Sequence, residues 1–462
     1  MGTLGDRIGR RKLLLIGAGA FGLASVLAAL STSADMLIAA RALLGIAGAT
    51  LMPSTMSLIR NMFLDPRQRG AAIGVWVSGF SVGSALGPLV GGFLLEHFWW
   101  GSVFLLGVPV MLLLLITGPL LLPEYRDPNP GRFDLLSAAM SLAAVLLVIY
   151  GLKQVAESGV SITAVLVVVA GLVIGFLFVQ RQRVLADPLI DLRLFRVPEF
   201  SASLATYTFG IFVSFGVFLF IAQYLQLVLG LSPLQAGLWS VPGAAAFILG
   251  SNTAPRLVNR VRPAFVVAGG LALAAVGLAL ITQIGTDSLA LIVIGNAIIS
   301  LGSGFTFSLT IDLVVGAAPP ERAGAASAIA ETGAELGGAL GLAILGSMGL
   351  ALYRSQLTAN LPAGISPEVA EAARETLGGA VAVAAELPDQ LGAALLNVAN
   401  HAFIQGIQVN ALVGVVGFVG LVFLTVTMLR NVRPHDESEA PEADYSAAPG
   451  IPHPQPEVSI GD

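Results

Sequence analysis

An all-α, polytopic membrane protein is the fold class that this 462-residue chain predicts, and three observations carry the prediction. Hydrophobic residues make up 56% of it and charged residues only 11%, against about 25% charged in an ordinary soluble chain. Apolar runs of roughly the 20 residues that cross a bilayer occur twelve times, at about 13–31, 36–59, 71–95, 102–122, 134–152, 161–180, 200–229, 234–254, 264–283, 289–316, 323–352 and 403–429. The basic residues then fall on one side. With the N-terminus inside, 19 Lys and Arg lie in inside segments and only Lys153, Arg354 and Arg374 outside, while Arg41 lies within a run. By the positive-inside rule both termini are cytoplasmic. The basic start at Arg7, Arg10, Arg11 and Lys12 could pass for a signal peptide, but eleven runs follow it and its removal would spoil the charge pattern.

The chain contains no cysteine, which excludes disulfides, thiolate metal sites and cysteine nucleophiles. Its four histidines, His97, His401, His435 and His453, all fall outside the runs. No metal or nucleophile constellation is visible, so enzyme activity, a metal, a cofactor and a nucleic-acid partner are not expected.

The first twelve residues hold Gly2, Gly5, Asp6, Arg7, Gly9, Arg10, Arg11 and Lys12. They form a tight turn in which one acid and several bases can pair across cytoplasmic helix ends. In the first run, Gly17, Gly19 and Gly22 match a dinucleotide fingerprint; no strand precedes them, so they read as packing. The second run places Leu37, Arg41, Gly45, Ala49 and Pro53 on one helical face. Arg41 is the only base within any run, and a charge at mid-membrane costs about 2.5–3.5 kcal/mol on insertion scales. It either snorkels outward past Asp35 or has a role in the bundle.

The third run organises the rest. Gly79, Gly83, Gly87 and Gly91 recur every four residues, with Gly74, Pro88 and Gly92 beside them. A side-chain-free stripe lets a neighbouring helix approach closely in lipid, and Pro88 removes a helix hydrogen bond and pushes on the carbonyl of Ser84, which bends the helix. The stripe is either ordinary packing or a pivot between two states. Its exit, from Glu96 and His97 through Phe98, Trp99, Trp100, Gly101 and Phe104, is an aromatic interface belt. Residues 123–133 are polar and proline-rich. Two runs follow, ending in the basic stretch from Arg181 to Arg196.

The seventh run carries Phe209, Phe212, Phe215, Phe218 and Phe220, then Gln223, Tyr224 and Gln226. The rings are either packing or, with the amides, a cavity lining for flat cations held by cation–π contact; Phe215, Gln223 and Tyr224 are the candidates. The segment Leu257–Arg262 echoes the opening turn with Asn259 in place of the acid, which supports an internal repeat.

Apart from Asp134, which opens the fifth run, only Asp312, Glu331 and Glu335 of the 28 acids lie within runs. Asp312 sits near a cytoplasmic helix end, where it can reach water or Arg322. Glu331 and Glu335 lie roughly 12 and 18 Å along a helix that starts near Ala323, at ~1.5 Å per residue, close to the middle of a ~30 Å core. Four apart, they share a face, which is expected to look into the bundle. Two close carboxylates in low dielectric cannot both ionise cheaply, so one is expected to hold a proton near neutral pH. Such a pair can release a proton when a cation arrives and rebind it when the cation leaves; the alternative is a protonated helix clasp. In the long outer loop 353–402, Ser366 and Pro367 read as a helix start, and Pro388–Asp389 as the start of a second short helix. The two helices are either a cap on the outer mouth or a passive insert. The acidic, proline-rich tail is expected to be disordered.

The opening Gly-x-x-x-Asp-Arg-x-Gly-Arg-Arg order resembles the loop between the second and third helices of the major facilitator superfamily. The glycine–proline pattern of the third run resembles that superfamily's antiporter motif, and the second run its proton-linked arginine motif. The Trp99–Phe104 stretch resembles the Trp-Arg-x-x-Phe junction, with Gly101 where an arginine often stands. The inserted pair of runs, the segment from Pro319 to Gly337, and His401 with Phe403 are similar to the fourteen-span drug:proton antiporters, in the QacA/SmvA/LfrA-like branch. The resemblance covers residues 2 to about 430. It implies a major facilitator fold on a fourteen-span plan minus its first two helices, whether through a fragment or a misplaced start. It implies four spans in 1–123, two linker spans in 124–197, a six-helix bundle in 198–432 with the outer loop 353–402, and a tail at 433–462. The implied function is proton-driven efflux of lipophilic or quaternary ammonium cations by alternating access across the bacterial inner membrane. Glu331, Glu335 and, more weakly, Asp312 would serve cation and proton, and Asp6, Arg7, Arg10, Arg41, Gly83, Gly87, Pro88 and Gly91 the conformational change. Partners would be cationic drugs, protons and membrane lipid, with the proton gradient in place of a cofactor and a monomer as the working unit. Other readings are an exporter of an antibiotic, lipid or amino acid, a sensor, or an inactive fragment.

Overall fold

A bilayer cannot satisfy open backbone hydrogen bonds, so apolar runs of this length fold as helices. The computed structural model describes residues 2–430 apart from 64, 127–133, 186–187 and 320–322, and these are helical with no strand among them. The tail at 433–462, Arg322 and the side chain of Asp6 lie outside the described residues.

Each of the twelve runs is a helix. After a short α1 (Gly2–Ile8), α2 (Arg10–Ala29), α3 (Ala34–Met62) and α4 (Pro66–His97) follow in turn. The fourth run divides into α5 (Ser102–Leu105) and α6 (Gly107–Leu121), because Pro109 has no N–H to give to Leu105. Then come α7 (Leu135–Ser158), α8 (Ile162–Val184), α9 (Pro198–Gln223), α10 (Pro233–Val258), α11 (Pro263–Ile281), α12 (Leu289–Gly316) and α13 (Ala323–Ala359). The last elements are α14 (Pro367–Glu375), α15 (Leu377–Ala384) and α16 (Asp389–Leu429). Serine caps start α3, α8 and α10: Ser33, Ser161 and Ser232 accept from Met36 N, Ala164 N and Gln235 N. Among the described residues ten helical spans, α5 and α6 counted as one, are long and apolar enough to cross a membrane. The other two runs, α4 and α10, are diluted by Gly, Ser and Pro, and they pack on each other.

The packing repeats. α2 lies on α3 and α6, and α11 lies in the same way on α12 and α16. α9 touches α12, α13 and α16, while α7 and α8 pair with each other and α7 also touches α13.

Outside the membrane the loop differs from the sequence expectation in one respect. α14 starts at the Ser366 cap with Pro367 in its first turn, as read. The second short helix is α15, capped by Thr376, whereas Asp389 begins α16, a single helix of 41 residues. No proline interrupts 389–402, so nothing stops the helix before the final span. At ~1.5 Å per residue α16 is ~62 Å long, twice a ~30 Å core. Its N-terminal half carries α14 and α15 as a packed cap. Tyr353 is buried and donates to Ala373 O at 2.8 Å, and Leu377, Ala380 and Ala384 join the same buried cluster as Leu395 and Ala399.

The inserted pair is held at its other end by a polar clasp. Asp134 accepts from the Ser137 hydroxyl (2.6 Å), the Ser137 N–H (3.0 Å) and the Arg181 guanidinium (3.1 and 3.2 Å). Gln182 Nε2 donates to Ser137 Oγ at 2.8 Å, and Gln182 Oε1 accepts from Leu189 N at 2.7 Å. The Ser137 hydroxyl first, then its N–H and Arg181, hold the Asp134 carboxyl down at about 2. A lowered folded-state value stabilises above the unfolded value of about 4 and loses that stabilisation as pH falls toward 2. Asp134→Asn is therefore expected to lower thermal stability in detergent at pH 7, and the gap to the wild type should close between about pH 4 and 2. A gap that ignores pH would exclude the carboxylate as its source.

Candidate functional site

Three groups of sequence-selected residues have distinct surroundings. The first is the opening turn. Gly9 has φ of 110°, and a Cβ there would run into the Glu124 carboxylate, so only glycine fits. Glu124 accepts from Arg11 N (3.1 Å) and faces Arg11 Nε at 3.7 Å. Arg11 also donates to Leu122 O (2.9 Å), Arg10 N donates to Tyr125 O (2.9 Å), and Arg126 donates to Ile8 O (3.3 Å). Arg10 is buried with its side chain over Gly5, and Arg7 is exposed. The turn is thus clamped to the end of α6. In the second half, Arg262 donates to Arg430 O (3.2 Å) at the end of α16, the matching contact without an acid. Glu124 escaped the sequence reading because its partner lies 113 residues away.

The second group is the glycine helix. A Cβ at Gly79, Gly83 or Gly87 would meet nothing within 4 Å, and at Gly91 only Val103 at 3.6 Å. The close approach lies further along: a Cβ on Gly92 would come 2.6 Å from Pro233 O, and one on Gly237 of α10 would come 2.5 Å from Pro88 O. Ser232 Oγ reaches Glu96 at 3.1 Å beside them. So α4 meets α10 through its C-terminal part, from Pro88 on, and its stripe at Gly79, Gly83 and Gly87 stands open. Arg41 is exposed, its guanidinium 5.9 Å from the Phe104 ring centroid, the range of a cation–π contact. Gly101 lies against Ala29 O with no room for a side chain.

The third group is the membrane acids. α13 seats on α9 through Gly333, Gly337 and Gly341, where a Cβ would collide with Thr208 or Phe212. Glu331 and Glu335 stand two residues from Gly333, about 200° round the helix, and are exposed rather than enclosed. The glycine seam turns them away from α9. Ile329 and Ala330, next to Glu331, share a buried cluster with Tyr207 of α9, whose ring lies edge-on to Phe307 at 5.7 Å, with Phe247 6.3 Å beyond. This aromatic cluster was outside the stripe picked from sequence; Tyr207 is two residues before Phe209, on another face. Asp312 is exposed on α12, one turn from its end. Of the proposed cavity lining, Gln223 borders a cavity of about 480 Å³. Phe215 lies half-exposed beside Gly338. Tyr224 is fully buried, donating to Gly285 O (2.6 Å) and accepting from Ser288 N (3.1 Å).

Residues 1–342 match the Major Facilitator Superfamily. The chain belongs to the Major Facilitator Superfamily. Its members are transporters, not enzymes. Multidrug efflux pump LfrA of Mycolicibacterium smegmatis is 46% identical over 414 residues, covering 89% of this chain and 82% of that protein. Methyl viologen resistance protein SmvA of Salmonella typhimurium is 37% identical over 409 residues, covering 87% and 82%. A bacterial homologue of the human lysosomal transporter Spinster, solved inward-facing and unoccupied, aligns with a TM-score of 0.64 at 19% identity, covering 93% of this chain and 85% of that one. That likeness concerns the fold. The described residues of this superfamily member are helical without strands, and ten of their spans are long and apolar enough to cross a membrane.

Proposed function

We propose that the chain exports small lipophilic cations, such as quaternary ammonium compounds, dyes and biguanides, across the bacterial inner membrane in exchange for protons. The observation that carries this reading is the pair Glu331 and Glu335, four apart at mid-membrane depth on α13, whose Ile329, Ala330 and Ala334 pack with Tyr207 and Phe307, with no base at that depth. A carboxylate pair sharing one proton has the chemistry of exchange: an arriving cation displaces the proton, and the departing cation restores it. The ring faces favour a flat cation. One relative is named for resistance to methyl viologen, an aromatic quaternary cation, which supports this substrate class.

Both termini face the cytoplasm in this reading, and the region 1–123 works against 198–432 about the α4–α10 contact. That contact closes the outer half while the inner glycine stripe stands open, which is the arrangement of a site reached from inside. The turn clamped by Glu124, with Arg7 and Arg10, and the stripe at Gly83, Gly87 and Gly91 would re-pack when the site turns outward. No cofactor beyond the proton gradient enters, and a single copy suffices. Ethidium efflux from energised cells expressing the chain tests the reading: a protonophore is expected to abolish it. Efflux that persists with the gradient collapsed would refute proton coupling.

A further inference from the structure

The cavity of about 480 Å³ has a chemistry opposite to that of the glutamate face. Among the described residues its walls come from α7, α9 and the turn after it, α13, α16 and the cap, and they are apolar except for Lys153, Gln223, Ser347, Tyr353 and Thr376, with no carboxylate. Such a lining offers a cation no counter-charge. Lys153 stands 18 residues into α7, ~27 Å along at ~1.5 Å per residue, at the outer edge of a ~30 Å core. The cap covers part of the water side, because Thr376, Leu377 and Gly378 form part of the wall and are fixed to the bundle through Tyr353. The flanking helix α7 exposes Leu142, Leu146 and Tyr150, an apolar surface suited to lipid. An occupant therefore comes from the bilayer, at headgroup depth, with an apolar body and a negative end.

We propose that this cleft holds a membrane phospholipid with an anionic headgroup. Its phosphate lies against Lys153, and one acyl chain runs down past Leu342 and Gly346 between α9 and α13. Lys153 takes part in another interaction as well, and its three N–H donors allow it to serve a phosphate too. The volume is that of a single small-molecule site. The lipid would wedge the inserted pair against the second bundle, where α7 touches α13.

The test uses the purified full chain, equilibrated with detergent micelles containing phosphatidylglycerol and phosphatidylcholine, with retained lipid counted by native mass spectrometry. The wild type is expected to retain phosphatidylglycerol in about fivefold preference, the contribution of one lysine near an anionic lipid. Lys153→Met should erase the preference. Gly346→Leu should lower retention of both lipids; a Cβ there meets nothing within 4 Å, so the variant fills the cleft without disturbing the fold, which its thermal unfolding checks. Equal retention of the two lipids by the wild type would overturn the proposal. So would unchanged retention in Gly346→Leu, or displacement of phosphatidylglycerol by ethidium. None of these readouts involves transport, so the result stands apart from proton-coupled export.

Discussion

Replacing Glu331 and Glu335 together by glutamine is expected to bring ethidium efflux in energised cells down to its protonophore-treated rate. A hydrogen bond to a charged group contributes about 1.5–3 kcal/mol, so losing the charge should weaken cation binding roughly 10- to 100-fold. Each single change leaves one carboxylate. It should keep some efflux but alter its pH profile, because the shared proton no longer has two sites. Glutamine keeps the shape and hydrogen-bonding capacity of the side chain, and both positions are exposed, so the protein should still fold. Abundance in the membrane is the control. If the double variant pumped ethidium with the wild-type pH dependence, the two acids would be no more than a helix clasp.

The second large effect separates two glycines that sequence alone treats alike. Gly237→Leu forces a side chain against Pro88 O, and overpacking of this kind costs about 1–3 kcal/mol. The variant is expected to unfold at lower temperature in detergent and to lose efflux. Gly87→Leu enters open space, with nothing within 4 Å, so its thermal stability should match the wild type. Its efflux should nevertheless fall at least about tenfold, the effect of a barrier raised by about 1.4 kcal/mol, because the stripe has to close on a neighbour in the outward state. A Gly87→Leu protein both stable and active would remove the stripe from the gating mechanism.

The agreement between sequence and structure follows the range of the forces involved. Helix positions come from local composition, and all twelve runs are helices. The start of α14 was legible because Ser366 and Pro367 act within one turn. The long reach of α16 was missed, since its only sign is the lack of a proline between 389 and 402. Within the site, Glu331 and Glu335 stood out by charge in an apolar run. Glu124 did not, because an acid in a polar loop is unremarkable until Arg11, 113 residues away, arrives beside it. Tyr207 and Phe307 likewise meet across two helices.

By itself the sequence determined an all-helical membrane chain, the order of its spans and the family to which it belongs, because hydrophobicity, caps and short motifs are read along a single segment. Which small-residue stripes serve as seams was decided only by the tertiary structure. Gly79, Gly83 and Gly87 on α4 share the four-residue spacing of Gly333, Gly337 and Gly341 on α13, yet the first set meets open space and the second seats on α9. Spacing fixes which residues share a face; what that face meets depends on another helix far away in the chain, and that choice turns Glu331 and Glu335 to the side on which they stand.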